Sequence, residues 1–116
     1  MPKLLFNFSG SWISETETSA FNLSLSQSNG RITGSHCSVQ MAGDRIDCIL
    51  DKSEKSLMGS VQNNSSIIVS FKSNYSGKSG TAKIIRINDS TINWQILIEP
   101  KGEYYIPKHS ILRKEK

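Results

Sequence analysis

Strict alternation of apolar and polar residues constrains this chain more than any other feature. Phe21, Leu23 and Leu25 occupy every second position with Asn22, Ser24 and Ser26 between them, and Ile67, Val69 and Phe71 repeat the pattern. Ile92, Trp94, Ile96 and Ile98 make a longer run of the same kind. A period of two puts each set on one face of a β-strand, whereas a helix would scatter it around its circumference. Polar residues on the opposite face indicate sheets wetted on one side, hence antiparallel pairing. A single helical turn over 15–19 is the only helical element the pattern admits.

Turn chemistry separates the runs at steady intervals. Ser28-Asn29-Gly30 is a strong hairpin signal, because Asn-Gly accepts the positive φ angles of a tight primed turn. Ala42-Gly43-Asp44, Asn63-Asn64-Ser65, Ser76-Gly77-Lys78 and Asn88-Asp89-Ser90 follow. The spacing predicts strands over 8–14, 20–27, 31–39, 45–50, 56–62, 66–73, 80–87, 91–98 and 109–114. Short strands joined by hairpins imply an all-β, antiparallel up-and-down meander of about eight to nine strands that closes into a small barrel. A flattened barrel or sandwich uses the same alternation. The 116 residues suit one domain, 1–116, and 36% hydrophobic content suits walls in which only alternate residues face inward.

The formal charge is +4, and Lys108, Arg113, Lys114 and Lys116 crowd the last nine residues, with Glu115 interrupting. A solvated terminus is the expected role; the excess is too small to imply nucleic acid. No apolar run approaches the roughly 20 residues of a membrane span. Met1 to Phe6 contains only a three-residue apolar cluster, so a cytoplasmic location is expected. A periplasmic or secreted location stays open if a signal segment has been removed.

Cys37 and Cys48 come into register if the turn centres on Ala42-Gly43. Directly opposed strand residues lie within disulfide range, and the bridge would contribute on the order of 2–3 kcal/mol. Two reduced, buried thiols are the other reading. No metal site is expected, since two Cys with His36 nearby lack a fourth ligand at familiar spacing. No cofactor motif is present, and catalysis has few candidates. His36 and His109 are the only histidines, and there is no Gly-x-Ser-x-Gly elbow. Asp44, Asp47 and Asp51 are expected to solvate a turn and pair with Arg45. Tyr75 to Ser79 fails as a phosphate loop, because Lys72 stands where the first glycine belongs. The chain is therefore not expected to be an enzyme. Glu99 to Pro107 is its least regular part, with two prolines and a glycine around Tyr104-Tyr105. Extended backbone sends these tyrosines to opposite sides. They are read either as contact residues or as one plug and one surface ring.

Gly10-Ser11-Trp12 in the first strand, followed by such a meander, resembles the calycin superfamily of lipocalins, fatty-acid-binding proteins and avidins. The resemblance implies that Trp12 plugs one barrel end and that Arg113, in the closing Ile111-Leu112-Arg113, packs across it by a cation–π contact. The rhythm from Phe8 to Ser35 is avidin-like, but beyond Trp94 the biotin-contacting set has no counterpart, so biotin does not carry over. The chain is also similar to bacterial immunity proteins of contact-dependent growth inhibition that use a fatty-acid-binding-protein-like barrel. That similarity implies a non-enzymatic module that occludes the active site of a cognate toxin domain, for instance a nuclease. Asp44, Asp47, Asp51 and Glu54 would then form an acidic patch beside Tyr104 and Tyr105, although the basic net charge argues against an RNase target. The alternative is a lipocalin-like carrier of a small hydrophobic ligand, provided that the lumen is not filled by its own side chains.

Overall fold

Nine antiparallel strands follow one another with almost no helix between them in the computed structural model, which describes residues 6–48 and 55–115. They are β1 (Gly10–Glu15), β2 (Ala20–Ser28), β3 (Arg31–Gln40), β4 (Arg45–Cys48), β5 (Leu57–Asn63), β6 (Ser66–Lys72), β7 (Ser79–Asn88), β8 (Thr91–Ile98) and β9 (His109–Lys114). Residues 16–19 form a turn closed by the Thr16 N–H on the Ser19 carbonyl, not a helical turn. The only helical element among the described residues is a 3-10 turn at Met41–Gly43.

Eight strands close into a barrel in the order β1, β2, β3, β5, β6, β7, β8, β9, with β9 returning to β1. The ninth, β4, shares one edge of β3 with β5. Cys37–Gln40 pair with β4 and Arg31–Gly34 pair with β5, so Ser35 and His36 fall in the gap between the two partners. The β1–β9 seam is short, with Trp12 opposite Lys114 and Ile13 opposite Arg113. Asn29 and Gly30 both take positive φ, 52° and 78°, as a two-residue primed hairpin requires. Cys37 lies opposite Cys48, and the two form a disulfide.

Burial follows the alternation. Phe21, Leu23, Leu25, Ile67, Val69 and Phe71 face inward and are all under 5% exposed. The run in β8 holds only in part. Ile92 and Trp94 are fully buried, but the ladder with β7 shifts by one residue after Ile96, and Ile98 ends 63% exposed. Glycine is required where the wall turns sharply: a Cβ on Gly34 would collide with the Ser24 carbonyl oxygen, and one on Gly59 with that of Ile68.

Each barrel end is covered by an irregular segment tied to a tryptophan. At one end Phe8 is fully buried, and its carbonyl accepts the Trp12 indole N–H at 2.9 Å. At the other, the Pro107 carbonyl accepts the Trp94 indole N–H at 2.8 Å, while Ile106 inserts into the core. Trp12 is fully buried at the end covered by the segment before β1. Its cationic neighbour is different: Lys114 Nζ lies 5.6 Å from the Trp12 ring, and Arg113 is exposed. The pleat explains the substitution, because Arg113 opposes outward-facing Ile13, whereas Lys114 opposes Trp12.

Candidate functional site

The polar feature of this barrel is built at the gap in β3. Alternation turns Ile32, Gly34, His36 and Ser38 inward, so the lumen face becomes polar toward the end covered by residues 99–107. At the gap, the His36 N–H donates to the Ser56 hydroxyl at 3.0 Å. The same hydroxyl lies 2.7 Å from His36 Nδ1, and His36 Nε2 lies 3.2 Å from Asp47 Oδ1. A neutral imidazole carrying its proton on Nε2 satisfies all three contacts: Ser56 donates to Nδ1, and Nε2–H donates to Asp47.

Asp47 is the centre of this cluster. Register places it opposite Ser38, hence inward, and its side chain is fully buried. Besides His36, its Oδ1 accepts the Asn74 N–H at 2.7 Å. Its Oδ2 accepts the Ser73 hydroxyl at 2.6 Å and the Tyr105 N–H at 3.1 Å. Burial by itself would raise the pKa, but the donors from His36, Ser73, Asn74 and Tyr105 outweigh it and hold the carboxyl at about 2. One carboxylate thereby ties β3, the β6–β7 turn and the 99–107 segment together, and Ser38 adds a bond to the Tyr105 carbonyl at 2.6 Å.

Ser56, His36 and Asp47 repeat the hydrogen-bond order of a serine hydrolase triad, with the two ring nitrogens exchanged. Ser56 is only 4% exposed, and its hydroxyl already accepts the His36 N–H. Through these bonds the cluster fixes one end of the barrel. The sequence reading that Asp47 solvates a turn and pairs with Arg45 is therefore corrected. The expected Asp44–Asp47–Asp51–Glu54 patch loses Asp47, which is interior; Asp44 is exposed, and Asp51 and Glu54 lie outside the described residues. Arg45 donates to the Asp44 carbonyl at 3.1 Å, and among the described residues it makes no ion pair with an acidic side chain.

Above this knot lies an aromatic surface flanked by Arg45 and Glu103. Tyr75, 40% exposed, meets Tyr105 edge to face at 4.6 Å between ring centroids. The Arg45 guanidinium stands 5.4 Å from the Tyr105 ring, and the Tyr75 hydroxyl accepts the N–H of half-exposed Ile46 at 3.2 Å. Tyr105 also donates to Glu103 at 2.6 Å. Tyr104 turns the other way, packing against the core and donating to Glu99. Burial, with the Glu99 carboxylate beside it, pushes the Tyr104 hydroxyl up to about 12. Tyr75, Arg45 and Ile46 did not figure in the sequence reading as contact residues, and nothing in their spacing joins them; only the fold does.

The interior is filled. Trp12, Trp94, Leu23, Phe71 and Ile84 are at most 1% exposed and belong to one continuous core. Of the depressions of 310 to 430 Å³, one of about 430 Å³ opens at the barrel end beside Pro107, with Ser14, Phe21, Gln40 and Ser110 in its lining; the others lie on the outer faces of β1, β2, β3 and β9 and at the end loops. Among the described residues, no group of three or more His, Cys, Asp or Glu is placed to hold a metal ion. Fold and site together define an eight-stranded antiparallel barrel with a packed lumen, compatible with a calycin-like fold. Searches of protein-family models, curated proteins and solved structures found no match to this chain.

Proposed function

We propose that this chain is a non-enzymatic protein-binding module that presents Tyr75, Tyr105, Arg45 and Ile46 to its partner. The observation that carries the reading is the support beneath the patch: Asp47 binds the Tyr105 and Asn74 N–H groups directly, so the aromatic rings are ordered before any partner arrives. Tyr and Arg dominate binding hot spots, and rings fixed in advance lose little entropy on docking. The packed lumen supports the same reading over a carrier, because a hydrophobic ligand would have to displace core side chains.

Within that class, the similarity to immunity proteins of contact-dependent growth inhibition favours a cognate toxin domain whose active site the barrel end occludes. The patch is aromatic and carries both charges: the Arg45 guanidinium stands by the Tyr105 ring, the Glu103 carboxylate accepts the Tyr105 hydroxyl, and Asp44 is exposed beside Arg45. It suits a target surface with apolar pockets and polar groups that pair with either charge.

The test is a binding assay against any toxin domain found encoded beside the chain, followed by titration of variants. Tyr105→Ala and Arg45→Ala should each weaken the complex by at least tenfold while the barrel stays folded, in line with hot-spot losses of about 2 kcal/mol. Unchanged affinity in both variants would place the contact surface elsewhere. Absence of a complex together with lipid copurifying in native mass spectrometry would favour the carrier.

A further inference from the structure

We infer that the Cys37–Cys48 disulfide is a redox latch: its reduction by a dithiol loosens β4 and, through Asp47, the Tyr75–Tyr105 surface, while the eight-strand ring stays folded. The biological sense of the latch rests on the contact surface proposed above; the loosening itself does not.

Three observations converge on this. First, β4 stands outside the ring. Each ring strand has a strand partner on both sides, whereas β4 pairs with β3 alone among the described residues, through four residue pairs. Second, the disulfide and the knot anchor consecutive residues of that strand from opposite faces. Cys48 bonds Cys37 on the outer side, and Asp47 reaches inward to His36, Ser73, Asn74 and Tyr105. Whatever frees Cys48 therefore acts on the residue whose carboxylate orders the patch. Third, the bond borders a surface hollow, with Cys37 half-buried and Cys48 7% exposed. Cys37 and Cys48 line an open depression of about 310 Å³ with Ser11, Asn22, Ser24 and Ser35, on the side away from the core.

The chemistry is ordinary thiol–disulfide exchange. A thiolate of the dithiol attacks one sulfur, the other cysteine leaves as thiolate and takes a proton, and the second thiol of the reagent resolves the mixed disulfide. The protein disulfide gains two electrons and two protons to become two thiols, and the dithiol becomes a disulfide. The released link spans residues separated by 11 positions, and opening so short a loop returns conformational freedom to β4.

The experiment is amide hydrogen exchange on the full chain, oxidised and after treatment with dithiothreitol at neutral pH, with the two thiols counted by alkylation and mass. The expected result is two thiols and exchange faster by roughly tenfold or more at Ile46, Asp47, Asn74 and Tyr105, against less than about twofold in β6, β7 and β8. The double variant Cys37→Ser/Cys48→Ser should reproduce that pattern without reductant. Three results overturn the latch: unchanged exchange after full reduction, acceleration throughout the ring, or a disulfide that resists the dithiol under native conditions. A double variant that fails to fold overturns it too, since the bridge would then hold the whole barrel. Failure of the contact surface is read separately, from undiminished partner binding by Tyr105→Ala.

Discussion

The carboxylate of Asp47 accepts the backbone N–H of Tyr105 at 3.1 Å, joining a four-residue strand to a segment 58 positions away. The same group holds His36, Ser73 and Asn74, so one side chain sets the relative positions of three stretches of chain. Beneath an exposed Tyr75–Tyr105 pair, this is a device for rigidity.

Removing the carboxylate should therefore be costly. Asp47→Ala leaves several buried donors without an acceptor, and a loss of about 3 kcal/mol or more is expected, at roughly 1–3 kcal/mol for each unsatisfied group. Asp47→Asn keeps the volume and one acceptor oxygen and should lose less. Urea unfolding monitored by tryptophan fluorescence measures both, and equal stability of Asp47→Ala and wild type would remove the knot from the account.

The knot also fixes a pH dependence. The folded chain holds the Asp47 carboxyl at about 2, below its ordinary value of 3.8, so the unfolded chain binds the proton more readily. The contribution is fully present above roughly pH 5 and is lost as pH falls through 3.8 toward 2; it amounts to about 2 kcal/mol. The stability difference between wild type and Asp47→Asn should shrink over that interval and stay flat from pH 5 to 7.

Trp94→Phe should release residues 99–107 from the barrel. The substitution strips the Pro107 carbonyl of its indole donor and opens space between Phe21 and Phe71, whose rings lie 5.2 and 5.3 Å from that of Trp94. A loss of about 2–4 kcal/mol is expected, with Tyr105 more accessible to iodination.

Two glycines should respond differently to alanine. Gly34→Ala drives a Cβ into the Ser24 carbonyl, where backbone cannot yield, and should cost about 3 kcal/mol or more. Gly30 has open space around it and a φ of +78°, so Gly30→Ala should cost about 1 kcal/mol from backbone strain alone. Thermal unfolding of the two variants separates the causes.

The strands were legible because their apolar residues repeat at period two and Asn or Gly marks the turns. The Cys37–Cys48 pairing followed from the register about Ala42-Gly43, and the same register carries Asp47 to a position opposite Ser38, on the face of β3 that holds His36. That signal for the knot was present in the sequence, but an aspartate beside a turn looks solvated until its face is counted. Lys114 in place of Arg113 across Trp12 is a matter of strand parity at a seam that sequence does not locate. Exposed Ile98 depends on a one-residue shift in the β7–β8 ladder, which alternation alone does not reveal. The sharing of β3 by β4 and β5 was illegible too, since a meander gives no sign that two successive strands occupy one edge.

Asp47 is a buried, ionised anchor, and a carbon-13 NMR titration of its side-chain carboxyl measures that directly. A midpoint near 2 is predicted, accompanied by shifts of the Asn74 and Tyr105 amides as the proton binds. A midpoint near 4, the ordinary carboxylate range, with both amides unmoved, would contradict it.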